Sequence, residues 1–227
     1  MGIHSISLLV CISNIKPLTS TTEEAHPAHP SLNLHQIPGF NGGACYKAHD
    51  GLRPTYMTFI RLDPSSNSGQ SLDELSNSHP FSIRSYHMVQ SVTKAPEDAG
   101  SLLPAAPFLL AVESSTPEEL EAKFNTWYDD HAMEVIQVLG SLRGGRYKLD
   151  PQRFKPGATD STEDHEIHHK YRYLALYDWD SGSFYESVST EFKELVSTPD
   201  TVEAISKYKI NLRRFELYKE FLNVDSK

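Results

Sequence analysis

Ser7-Leu-Leu-Val-Cys-Ile-Ser13 aligns with Phe108-Leu-Leu-Ala-Val-Glu-Ser114 at an offset of 101 residues, and this pairing decides how the chain is read. The same offset, without a gap, lays Pro38-Gly-Phe-Asn-Gly-Gly-Ala-Cys-Tyr-Lys47 on Leu139-Gly-Ser-Leu-Arg-Gly-Gly-Arg-Tyr-Lys148. Further on the offset widens to 117, where Tyr56-Met-Thr-Phe-Ile-Arg-Leu-Asp63 meets Tyr173-Leu-Ala-Leu-Tyr-Asp-Trp-Asp180. The additional residues of the second copy fall in the polar stretch 153–170. Ile83-Arg-Ser-Tyr86 against Leu212-Arg-Arg-Phe215 completes the set. Matches in one order along the chain indicate a duplication, with repeats over 1–100 and 101–227.

The second copy is the clearer one. Residues 108–113 are apolar and suit a strand. Thr116-Pro117-Glu118-Glu119 predicts a helix start, with Thr as cap, Pro at the first position and acids in the first turn. Leu120, Phe124, Trp127, Met133, Ile136 and Val138 form a helical apolar stripe, which Gly140 ends. Strands are expected over 143–149 and 171–179, a helix over 184–197 and a last strand over 210–218. The order β-α-β-β-α-β is that of a ferredoxin-like unit. In the first copy Pro27 and Pro30 interrupt 22–37, so only a short helix or turn is expected there. A remnant of the second helix falls at 70–75, and the Ala- and Pro-rich stretch 93–107 reads as the linker. Helices cover one face of such a four-stranded sheet, and the bare face must be buried against another sheet. A tandem copy does this internally. The expected fold is α+β, two βαββαβ repeats closed as an intramolecular, pseudo-dimeric α/β-barrel.

The 227 residues carry a formal charge of −9, which repels nucleic acid and acidic membranes. Cys11 and Cys45 cannot make a disulfide framework, so a reducing, cytoplasmic setting is expected. Residues 6–12 are apolar but short, with no preceding Lys or Arg and no small-x-small cleavage site. They read as a strand. No apolar run reaches membrane-spanning length.

Tyr128-Asp-Asp-His131, then Val138-Leu-Gly140 and Arg143-Gly-Gly-Arg-Tyr147, resemble the signature of dimeric α/β-barrel proteins of the EthD-like kind. The turn of that signature is better kept in the first copy, as Ile37-Pro-Gly-Phe40, but there Pro30 stands opposite His131. The resemblance implies mostly cofactor-free enzymes that decarboxylate, cyclise, isomerise or oxygenate hydrophobic, often aromatic or polyketide-derived molecules. Some such proteins bind haem or act in stress or interaction roles. A duplicated, Pro-decorated version resembles tailoring enzymes of fungal secondary metabolism.

His131 is the first candidate for chemistry, because imidazole titrates near neutrality and can carry a proton between two atoms of a substrate. Asp130 or Asp129 is the carboxylate expected to orient it. Tyr173, Tyr177 and Trp179 alternate onto one face of their strand, with Leu174 and Leu176 on the other. Since aliphatic side chains suit helix packing, the aromatic face is expected to line the barrel interior. There Tyr177 and Arg214 would steady an anionic intermediate. Tyr128, Arg146, Tyr86, His87, Phe215 and Glu216 complete the expected substrate-binding set, His87 and Glu216 marking where the repeats diverge. For each of these a packing or salt-bridging role stands beside the functional one.

Other chemistries find no footing. Glu163-Asp-His-Glu-Ile-His-His169 has metal-ligating residue types, but His165, His168 and His169 fall in the insertion, where a loop or lid is the better reading and no metal is expected. Glycine-rich phosphate loops and a Gly-x-Ser-x-Gly elbow are missing from the sequence. Gly42-Gly43 and Gly144-Gly145 read as bulges or close approaches. Cys45 reads as a small buried residue. The leading expectation is a lyase, cyclase or isomerase using no cofactor, acting on a small hydrophobic aromatic substrate between the two sheets. The alternatives are a cofactor-free oxygenase, a non-catalytic binding or stress protein and a haem binder. The expected state is a monomer with an internal pseudo-dimer, open to further homodimerisation.

Overall fold

The structure is a computed structural model that describes residues 7–13, 37, 39–53, 55–63, 82–94, 104–155, 171–180 and 190–221. The described strands are β1 (Ser7–Ser13), β2 (Phe40–Ala48), β3 (Tyr56–Leu62), β4 (Ser82–Thr93), β5 (Phe108–Ser115), β6 (Ser141–Lys155), β7 (Tyr173–Trp179) and β8 (Lys209–Phe221). The helices are α1 (Glu121–Gln137), entered through a 3-10 turn at Glu118–Leu120, α2 (Thr190–Val196) and α3 (Pro199–Lys207). The fold is α+β. Its antiparallel strands follow the closed hydrogen-bonded order of an eight-stranded barrel, β1-β3-β2-β8-β5-β7-β6-β4.

The chain divides into two compact units, Met1–His87 with Leu149–Glu166 and Leu217–Lys227, and Met88–Lys148 with Ile167–Glu216. In the first, β1 lies between β4 and β3, and β2 extends the sheet beyond β3. Leu9, Cys11, Phe40, Ile60, Leu62 and Ile83 build its core. Cys11 and Cys45 are free thiols that flank Thr58 in the ladder. Burial pushes their pKa values up to about 12 and about 11, so Cys45 packs as an inert thiol rather than a nucleophile.

The second unit repeats this order as β8-β5-β7-β6. Strand registers obey the sequence offsets residue for residue. Leu9 faces Ile60 as Leu110 faces Tyr177, Gly43 faces Ile60 as Gly144 faces Tyr177, and Leu9 faces Ser85 as Leu110 faces Arg214. The turn before β2 recurs before β6. Gly39 (φ 77°) and Gly140 (φ 87°) take the left-handed conformation that glycine tolerates. Their carbonyls accept the N–H groups of Asp63 (2.7 Å) and Asp180 (2.9 Å), and each strand then carries a register shift in its first residues.

Some local expectations are corrected. Thr116 does not cap α1; its hydroxyl donates to the Pro117 carbonyl, and the 3-10 turn begins after Pro117. The buried stripe of α1 is Phe124, Tyr128, Ala132, Val135 and Ile136, while Met133 is exposed. The expected helix over 184–197 is described only from Thr190 and breaks at Thr198-Pro199. Thr198 accepts the Thr201 N–H (3.3 Å) as the cap of a new helix, with Pro199 in its first turn. The short helix or turn expected within 22–37 (all but Ile37), the helix remnant expected at 70–75, most of the linker and the loop holding His165, His168 and His169 lie outside the described residues. Among the described residues, no helix is long and apolar enough to cross a membrane.

Candidate active site

Alternation along β7 groups the aromatic residues as expected, but on the opposite side from the one expected. Tyr173, Ala175, Tyr177 and Trp179 share a core with Phe124, Tyr128 and Val135 of α1, so the aromatic face is the helix-covered face. Phe124 sits 5.2 Å from Tyr173, and Trp179 meets Phe192 of α2 edge-on at 6.5 Å. The reason is volume. The inner side of α1 brings its own rings, and Gly144 opposite Tyr177 leaves room for a phenol, since a Cβ there would stand 2.6 Å from Tyr177 Cδ1. Burial pushes the Tyr128 phenol up to about 12 and that of Tyr177 well above its ordinary value, so both stay protonated.

Arg146 is packed into this layer. Its guanidinium lies over the rings of Phe124 (5.0 Å), Tyr128 (4.5 Å) and Tyr173 (4.7 Å). It donates to Asn125 Oδ1 and stands 3.5 Å from Asp129 Oδ1. Tyr173 donates to Glu121, whose carboxylate also takes Lys148 at 2.6 Å. These contacts tie α1 to β6 and β7. Asp129 therefore serves Arg146 and not His131.

His131 stands on the same helix with only 12% of its side chain exposed. Its ring stacks on Trp127 at 4.7 Å and 18° and meets Tyr128 edge-on at 6.1 Å. Nδ1 lies 3.6 Å from Glu134 Oε2 and 3.5 Å from Thr201 Oγ1. The Thr198 hydroxyl, 2.9 Å from that of Thr201, extends the polar chain. Burial pulls the imidazole pKa down to about 4, so the ring is neutral at physiological pH.

Two cavities meet at this ring. A cleft of about 640 Å³ between α1 and α3 is lined by Asp130, His131 and Glu134 on one side and Asp200 and Thr201 on the other. Lys123 bridges its rim to Glu203 at 2.9 Å, and Lys207 contacts the same carboxylate oxygen, which these two ammonium groups hold down at about 2. A second cavity of about 70 Å³ lies beneath, lined by Leu110, Val112, Val135, Tyr128 and Tyr177 among others. Trp127, His131 and Thr201 border both.

The remaining expected residues are dispersed. Arg214 and Glu216 share the helix-covered face of β8 with Leu212 but line neither cavity, and Phe215 is buried on the opposite face. Tyr86 (buried) and His87 (exposed) belong to the first unit. Glu134, Trp127 and Thr201 went unforeseen. Glu134 was legible as the residue one turn beyond His131, and Thr198-Pro199-Asp200 carries a helix-start signature that brings Thr201 with it. Among the described residues, no group of His, Cys, Asp and Glu has metal-site geometry.

No protein-family model matches the chain, and no curated protein is similar enough to count as a relative. Solved structures do match. An anthrone oxidase-like protein gives a TM-score of 0.52 at 13% identity, covering 96% of this chain and 93% of that one. A Fusobacterium nucleatum protein provisionally named a monooxygenase gives 0.50 at 8% identity, over 96% and 94%. A major regulator of staphylococcal pathogenesis gives 0.50 at 12%, over 94% and 99%. At these identities the likeness speaks for the fold alone.

Proposed function

We propose that the protein is a cofactor-free oxygenase of a flat hydrophobic aromatic substrate, with His131 as its base. One observation carries the reading: a buried, neutral imidazole borders both a roomy cleft and an apolar cavity, with a carboxylate and a hydroxyl beside its Nδ1. The likeness in fold to an anthrone oxidase-like protein supports oxygenation over the cyclisation, isomerisation or decarboxylation first expected.

The imidazole takes a proton from an activated CH₂ group flanked by aromatic rings. The carbanion transfers its electrons to dioxygen, and a C–O bond forms. The imidazolium returns the proton to the peroxide, giving a hydroperoxide. Loss of the second C–H proton and cleavage of the O–O bond release water and leave a ketone. One O₂ is consumed per CH₂ oxidised to C=O. Glu134 steadies the imidazolium, and the protonated phenols of Tyr128 and Tyr177 offer donors on the cavity side. Asp130 lines the cleft as a substrate contact.

We also infer that the chain is a tandem pair of βαββαβ repeats, a reading supported by strand registers that recur at the sequence offsets. Anthrone, which carries such a CH₂ group, tests the function in an oxygen-electrode assay. Uptake of one O₂ per anthrone, abolished in His131→Gln, is expected. Turnover of an aromatic substrate that persists without oxygen would overturn the oxygenase in favour of a lyase, cyclase or isomerase.

A further inference from the structure

The small cavity of the second unit has a chemistry unlike the cleft it adjoins. Leu110, Val112, Val135, Phe192, Val196 and Leu212 are among the apolar side chains that line it. Its volume is about 70 Å³. Water takes roughly 30 Å³ in the liquid, and an engineered cavity that holds benzene measures about 150 Å³. The space is therefore too small for a ring of the substrate and large enough for a molecule of two or three heavy atoms. Most of the wall is aliphatic and aromatic carbon, with Tyr128, Tyr177, His131 and Thr201 as its polar-tipped members, so a small apolar guest is preferred over a cluster of waters. The cavity reaches the cleft where Trp127, His131 and Thr201 border both.

We propose that this cavity is the dioxygen site, holding the gas beside the imidazole while the substrate fills the cleft. The proposal rests on the oxygenase reading and adds where the second substrate is kept. It separates the two reactants by polarity: the charged rim of Lys123, Glu203 and Lys207 belongs to the cleft, and the aliphatic floor belongs to the gas. Val112 is the residue to change, because it lines the cavity from β5, forms no part of the cleft and is not one of the proposed proton carriers.

Xenon, an apolar probe of similar size, is applied under pressure to crystals of the wild-type protein. One xenon between Val112 and Leu110 is expected. Val112→Ile and Val112→Phe fill the space in two steps, and circular dichroism reports which of them folds. In each folded variant xenon occupancy falls and the KM for O₂ rises, about threefold for Ile and tenfold or more for Phe, with the KM for the aromatic substrate within twofold of wild type. Absence of xenon from the wild-type cavity, with turnover still oxygen-dependent, overturns the cavity assignment and leaves the oxygenase standing. Loss of xenon in the Ile variant with an unchanged KM for O₂ does the same. Xenon bound in a wild-type enzyme that turns over without oxygen overturns the oxygenase reading, and the dioxygen assignment falls with it.

Discussion

Nδ1 of His131 stands 3.6 Å from Oε2 of Glu134, one helical turn further along α1. Side chains three apart on a helix are neighbours, whereas Asp130, one residue before His131, projects about 100° away around the axis. In the proposed reaction Glu134 is therefore the carboxylate that stabilises the imidazolium as it forms. Glu134 is half exposed, so solvent screens much of this effect. Glu134→Gln is expected to lower kcat about tenfold with KM within twofold, against a loss of about 10²–10⁴ for His131→Gln, the usual worth of a general base. Steady-state kinetics on the two variants check this; an undiminished kcat in Glu134→Gln would show that the carboxylate has no part in the proton transfer.

The depressed pKa of His131 fixes the direction of two pH dependences. In the unfolded chain the ring titrates near 6.5, and in the folded protein near 4. Between these values the unfolded state takes a proton that the folded state refuses. The stabilisation is therefore complete above pH 6.5 and is lost as pH falls through 4, amounting to roughly 3 kcal/mol. Asp178, which burial raises to about 6 despite its 2.6 Å pair with Arg143, titrates nearby with the opposite sign. Comparing wild type with His131→Gln isolates the imidazole. Urea unfolding at pH 7 and pH 4 should show the variant losing about 3 kcal/mol less than wild type, and the acid limb of kcat/KM should fall near pH 4. An acid limb near 6.5 would mean a solvated ring.

The strands and their order were legible because the matching sequence segments write each register twice. Leu9 with Ile60 and Leu110 with Tyr177 are one ladder position at two addresses. The alternation of Tyr173, Tyr177 and Trp179 was equally legible, but alternation says which residues share a face and not what covers it. Aliphatic Leu174 and Leu176 looked like the helix-facing side, yet the rings of Phe124 and Tyr128 and the missing side chain of Gly144 shaped a space that the rings of Tyr173 and Tyr177 and the guanidinium of Arg146 enter. Arg146 looked like a substrate ligand for the same reason: a charge on a strand does not disclose that three rings and Asn125 enclose it. The pairing of His131 with Thr201 needs tertiary contact across 70 residues, and no local pattern carries that.

Gly43 and Gly144, which face Ile60 and Tyr177 at matching ladder positions, exclude a side chain for different reasons. A Cβ on Gly144 would lie 2.6 Å from the Tyr177 ring, and one on Gly43 would lie 2.3 Å from the Phe59 carbonyl oxygen. A ring can be cut back; a neighbouring backbone cannot. Gly144→Ala is expected to cost about 2 kcal/mol, most of it recovered when the same change is made in a Tyr177→Leu background. Gly43→Ala should cost about 3 kcal/mol or more whatever side chain stands at position 59. A double-mutant cycle by chemical denaturation decides, and additivity of Gly144→Ala with Tyr177→Leu would mean that the two do not meet.

Arg146 offers the sharpest separation between a holding role and a binding role. Its guanidinium is 3% exposed, while its acidic partner Asp129 is 61% exposed. Removing the arginine thus leaves Asp129 to water rather than as an orphaned buried charge, so the penalty stays below that of breaking a fully buried pair. Lost are the ring contacts, about 2 kcal/mol when desolvated, and the charge-assisted bond to Asn125, about 1.5–3 kcal/mol, against a gain from no longer desolvating a cation. Arg146→Met keeps the volume and is expected to cost about 1–2 kcal/mol. Arg146→Ala adds a cavity and should cost about 3–4 kcal/mol. Because the side chain packs beneath α1 and lines neither cavity, substrate KM should stay within twofold in the Met variant while kcat falls with the looser seating of His131. Urea titration and steady-state kinetics on the same preparations measure both. A tenfold rise in KM at unchanged stability would make Arg146 a substrate ligand and remove it from the packing of α1.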